Sequence, residues 1–124
     1  MPITYKIASE QGRITAFATG ITRADDLHGL IRAILADPAF VPGLRALYDA
    51  RYAEPDITIM QLAEVAGEVR QLLKRGLGRI SIAAQSDTTY RVAKTFTVLA
   101  RAIGIDVDVF REIDDAEAWL SKGA

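Results

Sequence analysis

Asp49, Arg51 and Tyr52 close one apolar run of the chain, and Gln85, Ser86, Asp87 and Tyr90 close another. Carboxylates, a guanidinium, phenols and a hydroxyl gathered in this way can hold a polar group. None of them has an ordinary pKa near neutrality, so no general base is among them. The same residues can instead pair on a solvated rim, Asp49 with Arg51 and Asp87 with Arg91, and exposed pairs of this kind carry little energy. Thr58 precedes Gln61 by three positions, the spacing of a capping box, and is expected to cap a helix. His28 is the single histidine. It lies between Leu27 and Gly29 with no serine or cysteine nucleophile at a recognisable spacing, which is the setting of a surface or boundary histidine.

Other patterns offer less chemistry. Asp106 and Asp108 could face a cation together, but two ligands make a weak site, and alternation on a wet strand accounts for them. Gly76-Leu77-Gly78 precedes a strand and lacks a third glycine and a following helix, so it is not a dinucleotide fingerprint. Arg70, Lys74, Arg75 and Arg79 collect around a helix end, where they complement the helix dipole. The 124 residues carry 15 basic and 16 acidic side chains and a formal net charge of -1, which gives nucleic acid no general attraction. The absence of cysteine excludes disulfides, thiol catalysis and sulfur-bound zinc. No metal, cofactor or catalytic residue is implied.

The elements that must position these residues follow from periodicity. With 50% of its residues apolar, the chain has material for one core and the length of a single domain. The opening MPITYKI alternates, as does Arg13 to Thr19, and so short a connection between them dictates an antiparallel hairpin that Gly20 should end. Thr22 with Asp25 should cap a helix whose stripe is Leu27, Leu30, Ile31, Ile34 and Leu35, stopped by Asp37-Pro38. Leu44 to Ala50 reads as a buried strand, and Arg51 to Asp56, which holds Pro55, as a loop. A second helix runs from Thr58 through Ile59, Leu62, Ala66, Val69 and Leu73 to a left-handed cap at Gly76. Arg79 to Ala84 is a strand, and Ser86 or Asp87 caps a third helix with a stripe of Val92, Phe96, Leu99 and Ile103.

The third helix is cationic, with threonines at positions 88, 89, 95 and 97 expected on its polar side and Val98 off the stripe as an exposed apolar spot. Ile105, Val107 and Val109 alternate as a last strand, and Asp114 with Glu117 should cap a short fourth helix holding Trp119 and Leu120. The order β β α β α β α β α specifies an α/β domain over residues 1–124: a mixed five-stranded sheet with βαβ crossovers and four helices. The first residues do not read as a signal peptide, and no stretch approaches the ~18–20 apolar residues of a membrane span, so a cytoplasmic protein is expected.

The leading hairpin, the LADPAF…GLRALYDAR stretch with Tyr48-Asp49-Ala50-Arg51 ending its strand, and the closing fourth helix resemble the STAS fold. More closely they resemble the bacterial SpoIIAA-like family of stand-alone domains. The resemblance implies the fold of anti-sigma-factor antagonists and of a group of lipid-binding domains. In the antagonists that work by phosphorylation, an Asp-Ser-Ser/Thr-Gly-like turn supplies the modified hydroxyl. The matching DARYAEPDIT has no such turn and offers only Thr58, where a phosphate would gain from the helix dipole and be repelled by Asp56 and Glu54.

Two functions are expected from this reading. The first is a non-enzymatic interaction or regulatory module that binds a protein partner or a second copy of itself through the faces around its second and third helices. The alternative is a small carrier holding a lipid or other apolar ligand between helices and sheet, for which an apolar pocket of at least ~300 Å³ would be the mark.

Overall fold

The computed structural model describes residues 2–122. The opening alternation forms the hairpin of β1 (Ile3–Ala8) and β2 (Arg13–Arg23), antiparallel, with Ile3 opposite Ala18 and Ala8 opposite Arg13. A 3-10 turn at Ser9–Gln11 and Gly12 at φ 69° reverse the chain. Next come α1 (Ala24–Ala36), β3 (Arg45–Asp56), α2 (Ile59–Lys74), β4 (Ile80–Ala83), α3 (Asp87–Ala102), β5 (Val107–Phe110) and α4 (Ile113–Ser121). The strands lie in the order β1-β2-β3-β4-β5, parallel from β2 onward, as the alternation of strands and helices requires.

A sheet growing in one direction by right-handed crossovers places α1, α2 and α3 on one face. The main core lies there, with Ile31 and Ile34 of α1, Val65 and Val69 of α2 and Ala93 and Ala100 of α3 packed over Ile14, Ile80, Ile82, Val107 and Val109. The fourth helix crosses to the other face, where Ala116 and Leu120 bury Leu47 and Ala83. Polar anchors hold it. Ser81 Oγ donates to the Ala116 carbonyl at 2.9 Å, Arg13 pairs with Glu117, and Arg45 and Arg79 donate to the Leu120 and Trp119 carbonyls at the helix end. Cations at that end also complement its dipole.

Several local expectations are corrected. Both central strands run on: β2 continues through Gly20 to Arg23 and β3 through Pro55 to Asp56, with Thr22 opposite Pro55. Proline is tolerated there because β4 pairs with β3 only as far as Asp49, which leaves that edge without a partner strand. Thr22 is consequently a buried strand residue, and the α1 N-cap is Arg23, whose N–H donates to Asp26 at 2.8 Å. The last strand starts at Val107, so Asp106 lies outside it.

The fourth helix is preceded by Glu112 with no side-chain cap, Asp114 standing in its first turn and Glu117 turned to Arg13. In α3 the buried line is Thr89, Ala93, Thr97 and Ala100, with Ile103 exposed. Small residues let this helix approach the sheet, and the two threonines are satisfied by the carbonyls of Ala53 and Ala93. Val98 is exposed, as its position off the stripe implies.

Candidate functional site

Between Phe17 and Thr19 of β2, two steps along that strand are matched by three along β3, from Asp49 to Tyr52. The extra residue is a bulge, and a bulge re-aims side chains and leaves an amide unpaired. Here Asp49 resolves both effects. Its carboxylate accepts the Arg51 backbone N–H at 3.1 Å and grips the guanidinium at 3.0 and 2.9 Å. Hydrogen bonding to Asp49 raises the Arg51 pKa above its already high ordinary value, with burial opposing. The guanidinium lies 5.4 Å from the Tyr52 ring centre, and that ring meets Phe17 edge-on at 6.2 Å. The expected Asp49–Arg51 pair is therefore present, and its charges are spent on each other. Tyr52 is 56% exposed beside Phe17 at 38% and Ile21 at 51%.

The second group of candidates stands separately. Ser86 caps α3, accepting from the Thr89 N–H at 3.2 Å and donating to its hydroxyl at 2.9 Å. Asp87 pairs with Arg111 at 2.8 Å, in place of the expected Arg91, and Arg111 lies 4.4 Å from the Tyr90 ring centre. That partner lies across the connection after β5, where helical spacing gives no signal of it. Among the described residues no side-chain hydrogen bond or ion pair joins Asp49, Arg51 or Tyr52 to Ser86, Asp87 or Tyr90. The link between the groups is the Thr89 hydroxyl on the Ala53 carbonyl at 2.8 Å.

Thr58 belongs to neither group. It caps α2, accepting from the Gln61 N–H at 3.1 Å while the Gln61 side chain accepts from the Thr58 N–H at 2.9 Å. Thr58→Ala is expected to cost about 1 kcal/mol, read as a lower urea midpoint with an unchanged slope. No change in midpoint would leave the cap without energetic weight. His28 is half-buried and meets Glu68 of α2 at 2.7 Å, joining two helices as a boundary residue can. Asp106 and Asp108 pair with different arginines, Arg79 and Arg101. No group of three or more potential metal ligands occurs among the described residues.

The apolar space weighed above between helices and sheet lies on the other side of β3, and what sequence reasoning missed is which residues form it. A cavity of about 140 Å³ separates α1, α2 and α3 from β2, β3 and β4, and its walls are almost wholly apolar. Its floor explains it. Ala16, Ala46, Ala50 and Ala53 occupy inward positions where longer aliphatic side chains would fill the space beneath Leu27, Leu30, Leu62 and Val65. Close-packed interiors leave few voids larger than a water molecule. The alanines at 46, 50 and 53 were the available signal, and the reading of 51–56 as a loop concealed that the last of them faces inward. A second cleft of about 300 Å³, at the opposite end of the parallel strands, has Arg45, Arg79 and Asp106 in its lining. Arg79 there is engaged by Asp106 at 3.1 Å and by the Trp119 ring at 4.1 Å from its centre.

The geometry is that of an α/β domain with an apolar chamber between three helices and a mixed sheet, and its fold is SpoIIAA-like. It is similar over 95% of its length to 93% of an uncharacterized protein of the DUF3478 family with a SpoIIAA-like fold from Shewanella loihica, at 21% identity and a TM-score of 0.57. No family model matches the sequence. No curated protein matches it either. No helix among the described residues is long and apolar enough to cross a membrane.

Proposed function

We propose that this domain binds a small apolar molecule, or the apolar end of a larger one, between its helices and its sheet. The observation that carries this reading is the 140 Å³ cavity with apolar walls. A dry apolar cavity of roughly 150 Å³ is enough to bind benzene. The volume falls short of the ~300 Å³ at which drug-sized ligand pockets begin, so the occupant accommodated without movement of the helices is a small one and not a whole lipid tail. A carboxylate or hydroxyl placed inside would find almost no polar surface and would lose several kcal/mol of hydration, so the inserted part is hydrocarbon. On this reading the protein is a carrier or sensor, and no catalytic step is assigned to it. Benzene added at millimolar concentration is expected to bind at a single site, shifting the methyl resonances of Leu30, Val65 and Ile82. Shifts spread evenly over the surface, or none, would remove the reading.

A second reading, an interaction module acting on a second copy of the chain, is favoured by the exposed face shared by Phe17, Ile21 and Tyr52. Unpartnered apolar side chains gathered in this way are a mark of contact surfaces. Sedimentation equilibrium is expected on this view to show a dimer that Ile21→Glu dissociates. A monomer at every accessible concentration would remove it.

A further inference from the structure

One line of side chains leads out of the cavity. Leu62, Val65, Val69 and Leu72 of α2 line it, all of them buried. Helical spacing sets Ile59 one turn before Leu62 on the same face, a position that belongs to the core-facing stripe. Ile59 is nevertheless 67% exposed, and Met60 beside it 79%. The apolar stripe of α2 thus runs one turn past the end of the core. The segment leading into the helix behaves in the same way: Pro55 and Ile57 both line the cavity while only half-buried, and Asp56 and Thr58 on either side of Ile57 are exposed.

Polar cross-links close the other seams around the cavity. The Thr89 hydroxyl on the Ala53 carbonyl, at 2.8 Å, ties the start of α3 to β3. His28 and Glu68 join α1 to α2 at 2.7 Å, and Arg23 with Asp56, at 3.5 Å, joins the ends of β2 and β3. Residues 57–62 have no such tie. Thr58 and Gln61 bond to each other, and among the described residues no side-chain hydrogen bond or ion pair joins this segment to another element. The least fastened part of the cavity's enclosure is therefore the part where the exposed Ile59 and Met60 stand.

Building on the ligand-binding reading above, we propose that the ligand carries an alkyl chain longer than the cavity, which leaves it past Ile57 and lies over Ile59 and Met60. A cavity of about 140 Å³ takes a group the size of benzene, roughly six carbons, so the rest of a longer chain has to emerge. At 1.5 Å per residue, Ile59 stands only ~4.5 Å along α2 from Leu62, so the emerging methylenes shed water against side chains continuous with the cavity wall. The polar head of such a molecule stays in solvent, and the site selects for chain length.

The test is a series of 1-butanol, 1-hexanol and 1-octanol, with benzene as the probe of the cavity alone, titrated by calorimetry or chemical shift into the wild type, Ile59→Asn and Met60→Gln. Both side chains are exposed, and unchanged benzene binding shows that the variants are folded. Full burial of a methylene is worth roughly fourfold in affinity, and partial cover on an open surface roughly two- to threefold. Octanol is therefore expected to bind the wild type roughly four- to tenfold more tightly than hexanol. Ile59→Asn should reduce that gain to less than about twofold, Met60→Gln should reduce it in part, and neither should alter butanol.

Octanol binding no more tightly than hexanol, or a gain that survives both substitutions, would overturn the proposal while leaving the cavity as a site for small hydrocarbons. So would a role for the exposed pair in another contact in place of that gain: a dimer that Ile59→Asn dissociates in sedimentation, or binding to phosphatidylcholine vesicles that Met60→Gln abolishes. Failure of benzene itself to bind the wild type would instead overturn the ligand-binding reading, and this proposal with it.

Discussion

Gly76→Ala is expected to destabilise the protein by about 3–5 kcal/mol, the sum of backbone strain and a steric conflict that cannot relax. Gly76 follows α2 at φ 102°, in the region where an L side chain is strained. It forms a Schellman end: its N–H donates to the Leu73 carbonyl at 2.9 Å, and the Leu77 N–H donates to the Leu72 carbonyl at 3.0 Å. Leu72 and Leu77, brought together in this way, are both buried and both line the cavity. A Cβ at position 76 would stand 2.7 Å from Pro42 Cα and 2.7 Å from Pro42 Cβ.

Pro42 has little freedom to withdraw. The adjoining Gly43 N–H donates to the Gly76 carbonyl at 2.8 Å, Leu44 is buried, and Arg75 lies over the Phe40 ring. Gly104→Ala is the internal control. Gly104 has φ 89° with nothing within 4 Å of an added Cβ, so strain alone should cost about 1–3 kcal/mol. Urea unfolding of both variants separates the two contributions, since conformation is common to both and only Gly76 has the clash. Equal losses would mean that the Val41–Gly43 loop yields without cost.

Gly76 was legible in the sequence because a helix stop is a local event, written in the cations at 74 and 75 and the glycine after them. The same holds for Thr58 with Gln61, and for the parallel sheet, which the alternation of element types forces. What was not legible depends on neighbours distant in sequence. Pro55 reads as a strand breaker unless it is known that β4 ends its pairing at Asp49 and leaves the edge free. Thr89 and Thr97 read as polar-face residues until the closeness of α3 to the sheet supplies carbonyls for their hydroxyls. Asp87 finds Arg111 only after β5 has been placed beside β4. The Asp49–Arg51 pair could be read from spacing, but the bulge that turns Arg51 back onto its partner could not. The cavity was the most hidden feature, being a deficit of volume that exists only once the alanines of β2 and β3 lie together beneath three helices.

Val65→Phe tests that deficit from the stability side and the function side at once. Val65 is 3% exposed on α2 and forms part of the cavity wall, so a phenyl ring grown there has unoccupied volume to enter. In a close-packed core, forcing in so many extra atoms costs about 1–3 kcal/mol. Filling an existing cavity instead gives a gain of about 0.5–2 kcal/mol. Stability that is unchanged or higher is therefore the expected result.

The same ring occupies the place of the proposed ligand. Burial of a phenyl-sized group accounts for about 2–3 kcal/mol, so benzene affinity should fall roughly 30- to 150-fold, to the point of undetectable binding. The two readouts constrain each other. A variant that loses both stability and benzene binding has been disrupted by overpacking, and one that keeps both places the bound benzene elsewhere. Only stability retained with binding lost identifies the space between the helices and the alanine floor as the binding site. In that case the alanines at 16, 46, 50 and 53 leave volume that the fold does not need for its own packing and that a ligand can use.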